Sequence, residues 1–184
     1  MSSAVTITKY KFAGFGGQGV LFIGKVLAQA GMIGKKQVTW IPAYGPEMRG
    51  GTANCSVIIS SKKIGSPTVG KPDVAIVMNE ASYHKFVDSV VAGGTLYVNA
   101  SLIPELPGRD DITILRVPVN EIAHEMGDEK VANIVMLGVM QAITPSGPDD
   151  LLESVLMELA GKKPALADLN MRALKAGKEY AKKL

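Results

Sequence analysis

The stretch TITKYKFAGFGGQGVLFIGKVLAQAGMI, residues Thr6–Ile33, decides the fold of this chain. Its first part, Thr6–Ala13, is rich in β-branched and aromatic side chains, which predicts a strand that ends at a glycine-rich turn. Its last part, Val20–Ile33, places Ile23 and Leu27 on one apolar face at helical spacing. A strand that leads through a tight turn into a helix is the opening unit of an α/β fold.

The rest of the chain repeats this alternation of short β-type runs with helical periods. Further strands are predicted over Gln37–Ile41, Thr52–Ser60, Asp73–Met78, Thr95–Asn99 and Ile112–Val117. Further helices are predicted over Glu80–Val91, Val119–Gly127, Val131–Ile143, Asp149–Ala160 and Leu166–Leu184. No internal repeat or linker divides the sequence, so we expect one domain over residues 1–184. The expected architecture is a three-layer α/β/α sandwich around a mostly parallel sheet, with a Rossmann-like glycine loop after the first strand.

The composition predicts a soluble globular protein. The 184 residues are 47% hydrophobic and 20% charged, and this length can bury a core without disulfides. No uninterrupted apolar run reaches the roughly 18 residues that a membrane span needs. The polar N-terminus lacks the apolar stretch of a signal peptide, and a single cysteine suits a reducing compartment. We therefore expect a cytoplasmic protein.

The chain is poor in groups that perform chemistry. One Cys and two distant His cannot hold an iron–sulfur cluster or a structural zinc ion, so we predict no metal ligands. The sequence has no Ser-His-Asp order and no paired catalytic carboxylates, so we also predict no catalytic residues. Cys55, within a β-type run, is interpreted as a buried apolar residue rather than a nucleophile. His84 and His124 are interpreted as structural or solvent-facing residues.

The net charge of +3 is unevenly distributed. Residues 162–184 contain seven Lys or Arg against two carboxylates, so the remainder of the chain is slightly acidic. A nucleic-acid binder would spread positive charge over a face or groove, so we predict no nucleic-acid partner. The basic segment is interpreted as a solvated helix face, with a docking site for an acidic partner as the alternative.

The turn after the first strand is the first candidate binding site. Its candidate residues are Gly14, Gly16, Gly17, Gln18 and Gly19, and a G-x-G-x-x-G pattern between a strand and a helix can hold a phosphate with backbone N–H groups. A dinucleotide fold would also place Asp or Glu at the end of the second strand, which here reads TWIP. Two interpretations remain: another anionic ligand, bound in part by a partner chain, or a tight turn that only permits close packing.

A second glycine-rich segment follows the second strand and should reach the same edge of the sheet. Its candidate partner- or ligand-contacting residues are Tyr44, Glu47, Met48, Arg49, Gly50 and Gly51. Arg49 is the candidate anion contact, because guanidinium suits phosphate and carboxylate. The alternative is a surface loop rich in turn-forming residues.

Two asparagines end predicted strands at this edge. Asn79 follows one strand and Asn99 ends the next, so either amide could serve a ligand or a neighbouring loop. For Asn79, which precedes the helix that begins at Glu80, capping that helix is the favoured interpretation.

Taken together, these segments resemble the gamma subunit of 2-oxoacid:ferredoxin oxidoreductases. The resemblance is carried by FAGFGGQGVLFIGKVLAQAG, PAYGPEMRGGTANCSVIIS and PDVAIVMNEASYHKF, and it continues with NIVMLGVM. It is strongest over Phe12–Phe86, and the combination of the glycine loop with YGPEMRGG makes it specific. Within the family the sequence looks most similar to the 2-oxoglutarate branch.

The resemblance implies a subunit that is inactive alone. Such complexes convert a 2-oxoacid, coenzyme A and oxidised ferredoxin into an acyl-CoA, carbon dioxide and reduced ferredoxin. Thiamine diphosphate is expected between the partner alpha and beta subunits, and magnesium and iron–sulfur clusters are expected in partner subunits, with a delta subunit left open. The gamma chain is expected to position coenzyme A and its partners, and the cofactors to perform the chemistry.

Several alternatives stay open at this stage. The substrate could instead be indolepyruvate, pyruvate or a branched-chain 2-oxoacid. A function of a different class, a free-standing nucleotide-binding module, predicts a stable chain that binds a nucleotide unaided. An isolated gamma chain would expose its partner surface, so homodimer formation is also left open.

Overall fold

The computed structural model describes residues 6–44 and 52–184, which form six strands and six α-helices. The strands are β1 (Ile7–Phe15), β2 (Gln37–Tyr44), β3 (Thr52–Ser60), β4 (Val74–Val77), β5 (Thr95–Asn99) and β6 (Thr113–Val117). The helices are α1 (Val20–Ile33), α2 (Glu80–Phe86), α3 (Val119–Glu125), α4 (Ala132–Ile143), α5 (Asp149–Ala160) and α6 (Pro164–Ala181). The predicted bounds of α1, β3, β5 and α5 are confirmed at both ends.

All six strands belong to one sheet in the order β2-β3-β1-β4-β5-β6. Strands β1, β4, β5 and β6 are parallel neighbours, whereas β3 runs antiparallel to both β1 and β2. Five strands therefore share one direction, which confirms the mostly parallel sheet with a single reversed strand. The carboxyl ends of β1, β2, β4 and β5 meet at one edge, and β3 begins there.

One face of the sheet carries the larger part of the core. Helices α1 and α4 pack on this face, and α6 covers the outer side of α4. Residues 132–141 of α4 are all buried, as expected for a helix that is apolar on every side. The contact between α4 and α6 is close because Gly138 and Gly177 face each other; a Cβ on Gly138 would lie 3.2 Å from the Cα of Gly177.

The opposite face is covered by α2 and the segment that follows β5. Tyr83 and Val87 pack there with Val98 and Ile103 in a second, smaller apolar cluster. Helices on both faces of the sheet confirm the α/β/α arrangement.

The predicted helix Glu80–Val91 is longer than the helix that forms. Helix α2 ends at Phe86, and Val87–Ser89 continues as a 3-10 turn. Arg109 explains this end, because its guanidinium donates to the carbonyl oxygens of Val87 at 3.1 Å and Val90 at 2.8 Å. Carbonyls that would otherwise continue the helix are thus satisfied by a side chain distant in sequence.

Candidate functional site

The glycine-rich turn lies where β1 ends and α1 begins. Gly17 and Gly19 adopt φ angles of 98° and 70°, a region that side chains with a Cβ rarely enter. Gly19 is the residue that precedes α1 and supplies no side-chain cap. The backbone N–H groups of the first turn of α1, which have no partner within the helix, are therefore not capped by the side chain of residue 19.

Gln18 connects this turn to the end of β4. Its side-chain oxygen accepts from the backbone N–H of Phe15 at 2.7 Å and from the amide of Asn79 at 3.0 Å. Its amide nitrogen donates to the carbonyl oxygen of Met78 at 3.0 Å. Both ends of the Gln18 side chain are thereby engaged by neighbouring parts of the edge, so the residue holds the turn in place.

Asn79 and Asn99 are brought together at this edge, as predicted, but both are buried. Asn79 is 4% exposed, and its oxygen accepts from the N–H of Ser82 at 2.9 Å, which confirms that it caps α2. Asn99 is 0% exposed; its amide nitrogen donates to Met78 O at 3.2 Å, and its oxygen accepts from the N–H of Ser101, also at 3.2 Å. Both side chains therefore bind neighbouring loops, which is one of the two possibilities that the sequence left open.

Gly14 has a packing role that the sequence pattern could not separate from ligand binding. A Cβ at this position would lie 2.8 Å from the Gln18 side-chain oxygen and 3.2 Å from the Cβ of Met78. Gly14 is buried, whereas Gly16 and Gly17 are exposed. The residues of the turn that remain accessible to a ligand are therefore Gly16 and Gly17, with Gln18 and Gly19 partly so.

Asn133, which sequence reasoning missed, joins α4 to the turn. Its amide nitrogen donates to the carbonyl oxygen of Gly19 at 3.1 Å, across 114 residues of sequence. A Cβ on Gly19 would overlap this amide group and lie 2.9 Å from Asn133 Cγ. The available signal was a polar residue at the start of the otherwise apolar segment NIVMLGVM.

A cavity of about 210 Å³ lies beside the turn. It is lined by Gly17, Gln18, Met78, Asn120, Glu129, Lys130, Ala132 and Asn133. An adjoining groove of about 560 Å³ shares Asn120 and Glu129 and is lined also by three residues of α3, namely Glu121, His124 and Glu125. The cavity thus combines backbone, amide and ammonium donors with the carboxylate of Glu129, and the groove carries the further carboxylates of Glu121 and Glu125.

The second glycine-rich segment is only partly described. Tyr44 ends β2 opposite Ala53, and Gly14 of β1 pairs with the same residue from the other side. This register places the end of β2 at the edge where the glycine-rich turn lies. The candidate residues Glu47, Met48, Arg49, Gly50 and Gly51 lie outside the described residues.

Both histidines are exposed, which agrees with the solvent-facing interpretation rather than with a structural role. His84 lies 3.5 Å from Glu80 with a side chain that is 61% exposed. His124 lies 3.2 Å from Glu129 with a side chain that is 77% exposed. Over residues 6–44 and 52–184, no three His, Cys, Asp or Glu side chains are grouped to hold a metal ion. Over the same ranges no helix is both long and apolar enough to cross a bilayer.

Cys55 is buried, as predicted, and we expect its thiol to be inert in the folded chain. The side chain is 0% exposed, and burial raises its pKa to about 12, so the nucleophilic thiolate is scarce at neutral pH. A chromogenic disulfide reagent should release one equivalent of thiolate only after denaturant is added. Rapid labelling in native buffer would contradict this prediction.

The raised pKa of the Cys55 thiol also means that the folded state loses stability as the pH rises above about 9, because the unfolded chain releases this proton first.

The fold and the edge define an α/β protein in which a glycine-rich turn opens on a cavity at the carboxyl edge of a mixed sheet. Residues 9–180 match the family model described as pyruvate ferredoxin/flavodoxin oxidoreductase. The chain belongs to this family, and it is a gamma-type subunit of the 2-oxoacid:ferredoxin oxidoreductases.

Two relatives illustrate the sequence similarity. The ketoisovalerate oxidoreductase subunit VorA of Methanothermobacter thermautotrophicus is 42% identical over 95% of this chain, which spans only 36% of that relative. The 2-oxoglutarate synthase subunit KorC of Methanocaldococcus jannaschii is 33% identical over 95% of this chain and 94% of its own length.

Two solved structures are similar to the whole fold. The keto/oxoacid ferredoxin oxidoreductase gamma subunit of Geobacter sulfurreducens has a TM-score of 0.82 and 30% identity, covering 96% of this chain and 99% of its own. The 2-oxoglutarate:ferredoxin oxidoreductase of Magnetococcus marinus, solved with 2-oxoglutarate, coenzyme A and succinyl-CoA bound, has a TM-score of 0.87 and 25% identity. It covers 97% of this chain, which spans 31% of that longer chain.

Proposed function

We propose that this chain works in a multi-subunit complex that oxidatively decarboxylates a 2-oxoacid, transferring the acyl group to coenzyme A and electrons to ferredoxin. The observation that carries the proposal is the cavity beside the glycine-rich turn, in a chain that belongs to this oxidoreductase family. The chain contributes binding and positioning, while thiamine diphosphate, magnesium and iron–sulfur clusters belong to partner subunits, which are an alpha and a beta chain with a delta chain still open.

Within this proposal, the glycine-rich turn binds a phosphate of coenzyme A. Three features support the assignment: the exposed Gly16 and Gly17, the uncapped first turn of α1, and Lys130 on the wall of the cavity. Backbone N–H groups at a helix N-terminus favour an anion, and an ammonium group adds a charged donor. The end of β2 carries no carboxylate for a ribose, which disfavours a dinucleotide at this turn.

We place 2-oxoglutarate first among the substrates. KorC chains, which are 2-oxoglutarate synthase subunits, match this chain over nearly their whole length, at 94% of the Methanocaldococcus jannaschii protein. The second candidate is a branched-chain 2-oxoacid, because VorA has the higher identity of 42%. Substrate choice lies largely in the partner chains, so the assay must compare both acids, with pyruvate and indolepyruvate as further substrates.

Reconstitution tests the proposal. The chain is purified alone and with the alpha and beta subunits of its native source, and reduction of ferredoxin is measured with each 2-oxoacid and coenzyme A. We expect no activity from the chain alone and full activity after recombination. A complex of the partner chains that is fully active without this chain would overturn the proposal, as would unaided nucleotide binding by a chain that never associates with them.

The Arg49→Ala variant tests the second glycine-rich segment, which the sequence assigns to this edge. A hydrogen bond between charged groups contributes about 1.5–3 kcal/mol, so its loss should raise the KM for coenzyme A about tenfold or weaken assembly to a similar degree. Steady-state kinetics and size-exclusion chromatography of the reconstituted complex measure the two effects. Unchanged kinetics together with unchanged assembly would contradict the role of Arg49.

A further inference from the structure

The amide group of Asn120, in the first turn of α3, has an orientation imposed by its neighbours. The backbone N–H of Ser101 donates to one atom of the Asn99 amide at 3.2 Å, so that atom is the oxygen. The other atom is therefore nitrogen, and it donates to the carbonyl oxygen of Met78 at 3.2 Å and to Asn120 at 2.9 Å. Because this nitrogen can only donate, the Asn120 atom that faces it is the oxygen.

The Asn120 nitrogen is consequently directed away from Asn99 with both of its N–H groups unused. This nitrogen makes no hydrogen bond to any described residue. Asn120 is only half-buried, so solvent or a ligand can reach the nitrogen. Asn120 lines the cavity of about 210 Å³ together with Gly17, Gln18 and Lys130. The burial of Asn99 at 0% exposure keeps this arrangement rigid.

We propose that Asn120 is a ligand-binding residue of this edge, and that its amide donates to a phosphate oxygen of the anion held by the glycine-rich turn. The inference rests on the proposed function and adds a residue to its site. Glu129 lines both the cavity and the groove, and Glu121 and Glu125 line the groove, so these carboxylates disfavour a phosphate on the groove side and leave the side with Gly17, Gln18 and Lys130 as its place. Because the Asn120 amide is already oriented before the ligand arrives, binding does not cost the conformational entropy of ordering this side chain.

The Asn120→Asp variant separates the two roles of this side chain. The carboxylate keeps an oxygen for the amide of Asn99 and has the same shape, but it loses both donors and repels phosphate. In the reconstituted complex we expect the KM for coenzyme A to rise about tenfold or more, with kcat changed less than about twofold. The melting temperature of the chain should stay within a few degrees of that of the original protein.

Two further variants control for added charge and for misfolding. His124→Asp places the same charge one turn later on α3, facing only the groove, and should raise the KM less than about threefold. If Asn120→Asp does not fold, Asn120→Ser serves instead, because its hydroxyl is too short to replace the amide donors in the cavity. Pyrophosphate as a competitive inhibitor against coenzyme A identifies the phosphate as the group that is recognised, and its inhibition should weaken in parallel in the Asn120 variant.

The outcomes separate this inference from the proposed function. If the complex requires the chain but the folded Asn120 variant keeps its original KM for coenzyme A, the role of Asn120 is wrong and the proposed function stands. An equal rise in KM for Asn120→Asp and His124→Asp would also contradict the role, because it would reduce the effect to charge alone. If the complex works without the chain, the proposed function itself fails.

Discussion

The Gly138→Ala variant should lose about 2–3 kcal/mol of unfolding free energy, a loss typical of overpacking in a close-packed interior. A Cβ on Gly138 would overlap the carbonyl oxygen of Leu174 in α6, and a Cβ on Gly177 would overlap that of Val135 in α4. Both obstacles are backbone atoms, so the helices must separate to accept a methyl group. The gain of up to about 1 kcal/mol in helix propensity offsets only part of this cost.

Denaturant unfolding of Gly138→Ala, Gly177→Ala and the double variant measures the effect. The double variant should lose less than the sum of the two single losses, because one separation of α4 from α6 relieves both overlaps. Gly70→Ala is the control: nothing lies within 4 Å of its added Cβ, so its unfolding free energy should change by less than about 0.5 kcal/mol. Equal stabilities of the Gly138 and Gly70 variants would refute the close contact between α4 and α6.

The Gly19→Ala variant should lose a similar amount of stability and also impair ligand binding. Its φ of 70° costs a residue with a Cβ about 1–2 kcal/mol. The new methyl group would also overlap the amide of Asn133, whose hydrogen bond to Gly19 O holds the turn against α4. Because the turn would have to move, the KM for coenzyme A in the reconstituted complex should rise along with the loss of stability.

Gly17→Ala provides the matched comparison for Gly19→Ala. Gly17 also has a positive φ, of 98°, but a Cβ there would meet nothing within 4 Å. Its loss of stability should therefore reflect the backbone conformation alone and be the smaller of the two. The Asn133→Ala substitution removes the amide that a Cβ on residue 19 would overlap. The Gly19→Ala, Asn133→Ala double variant should therefore recover part of the stability by which Gly19→Ala falls below Gly17→Ala. A Gly17 variant as unstable as the Gly19 variant would show that the contact with α4 contributes nothing.

The elements with strong local patterns could be predicted from the sequence. Helix α1 has the predicted bounds because its hydrophobic periodicity coincides with the face that it buries, and β3 has them because its β-type run, buried from Ala53 to Ser60, lies between a glycine-rich segment and a turn. The end of α2 could not be predicted, since Arg109 terminates it from a position more than 20 residues away. The direction of β3 is likewise invisible in its own residues, because a strand covered on one or both faces has the same pattern in either orientation.

The residues of the candidate site also fall into two groups: those that the sequence predicted and those that only the structure revealed. The glycine-rich turn was found from its position between β1 and α1, and Asn79 and Asn99 from their place at strand ends. Asn120 and Asn133 were missed because their importance depends on contacts with residues distant in sequence, Asn99 and Gly19. Arg49 stays a prediction from the sequence.

The sequence by itself determined the α/β class, the glycine-rich turn at a strand–helix junction, the lack of a carboxylate at the end of the second predicted strand and the resemblance to the gamma subunits. These properties are local, because they depend on residue type and spacing within one or two elements. Only the tertiary structure decided that Asn99 is buried, that Asn133 binds the turn and that Asn120 lines the cavity beside the turn. Hydrogen-bond partners distant in sequence fix those properties, and no local pattern encodes such partners. The sequence contains one cysteine, so we expected the iron–sulfur clusters to lie in partner chains. The proposed function retains that expectation.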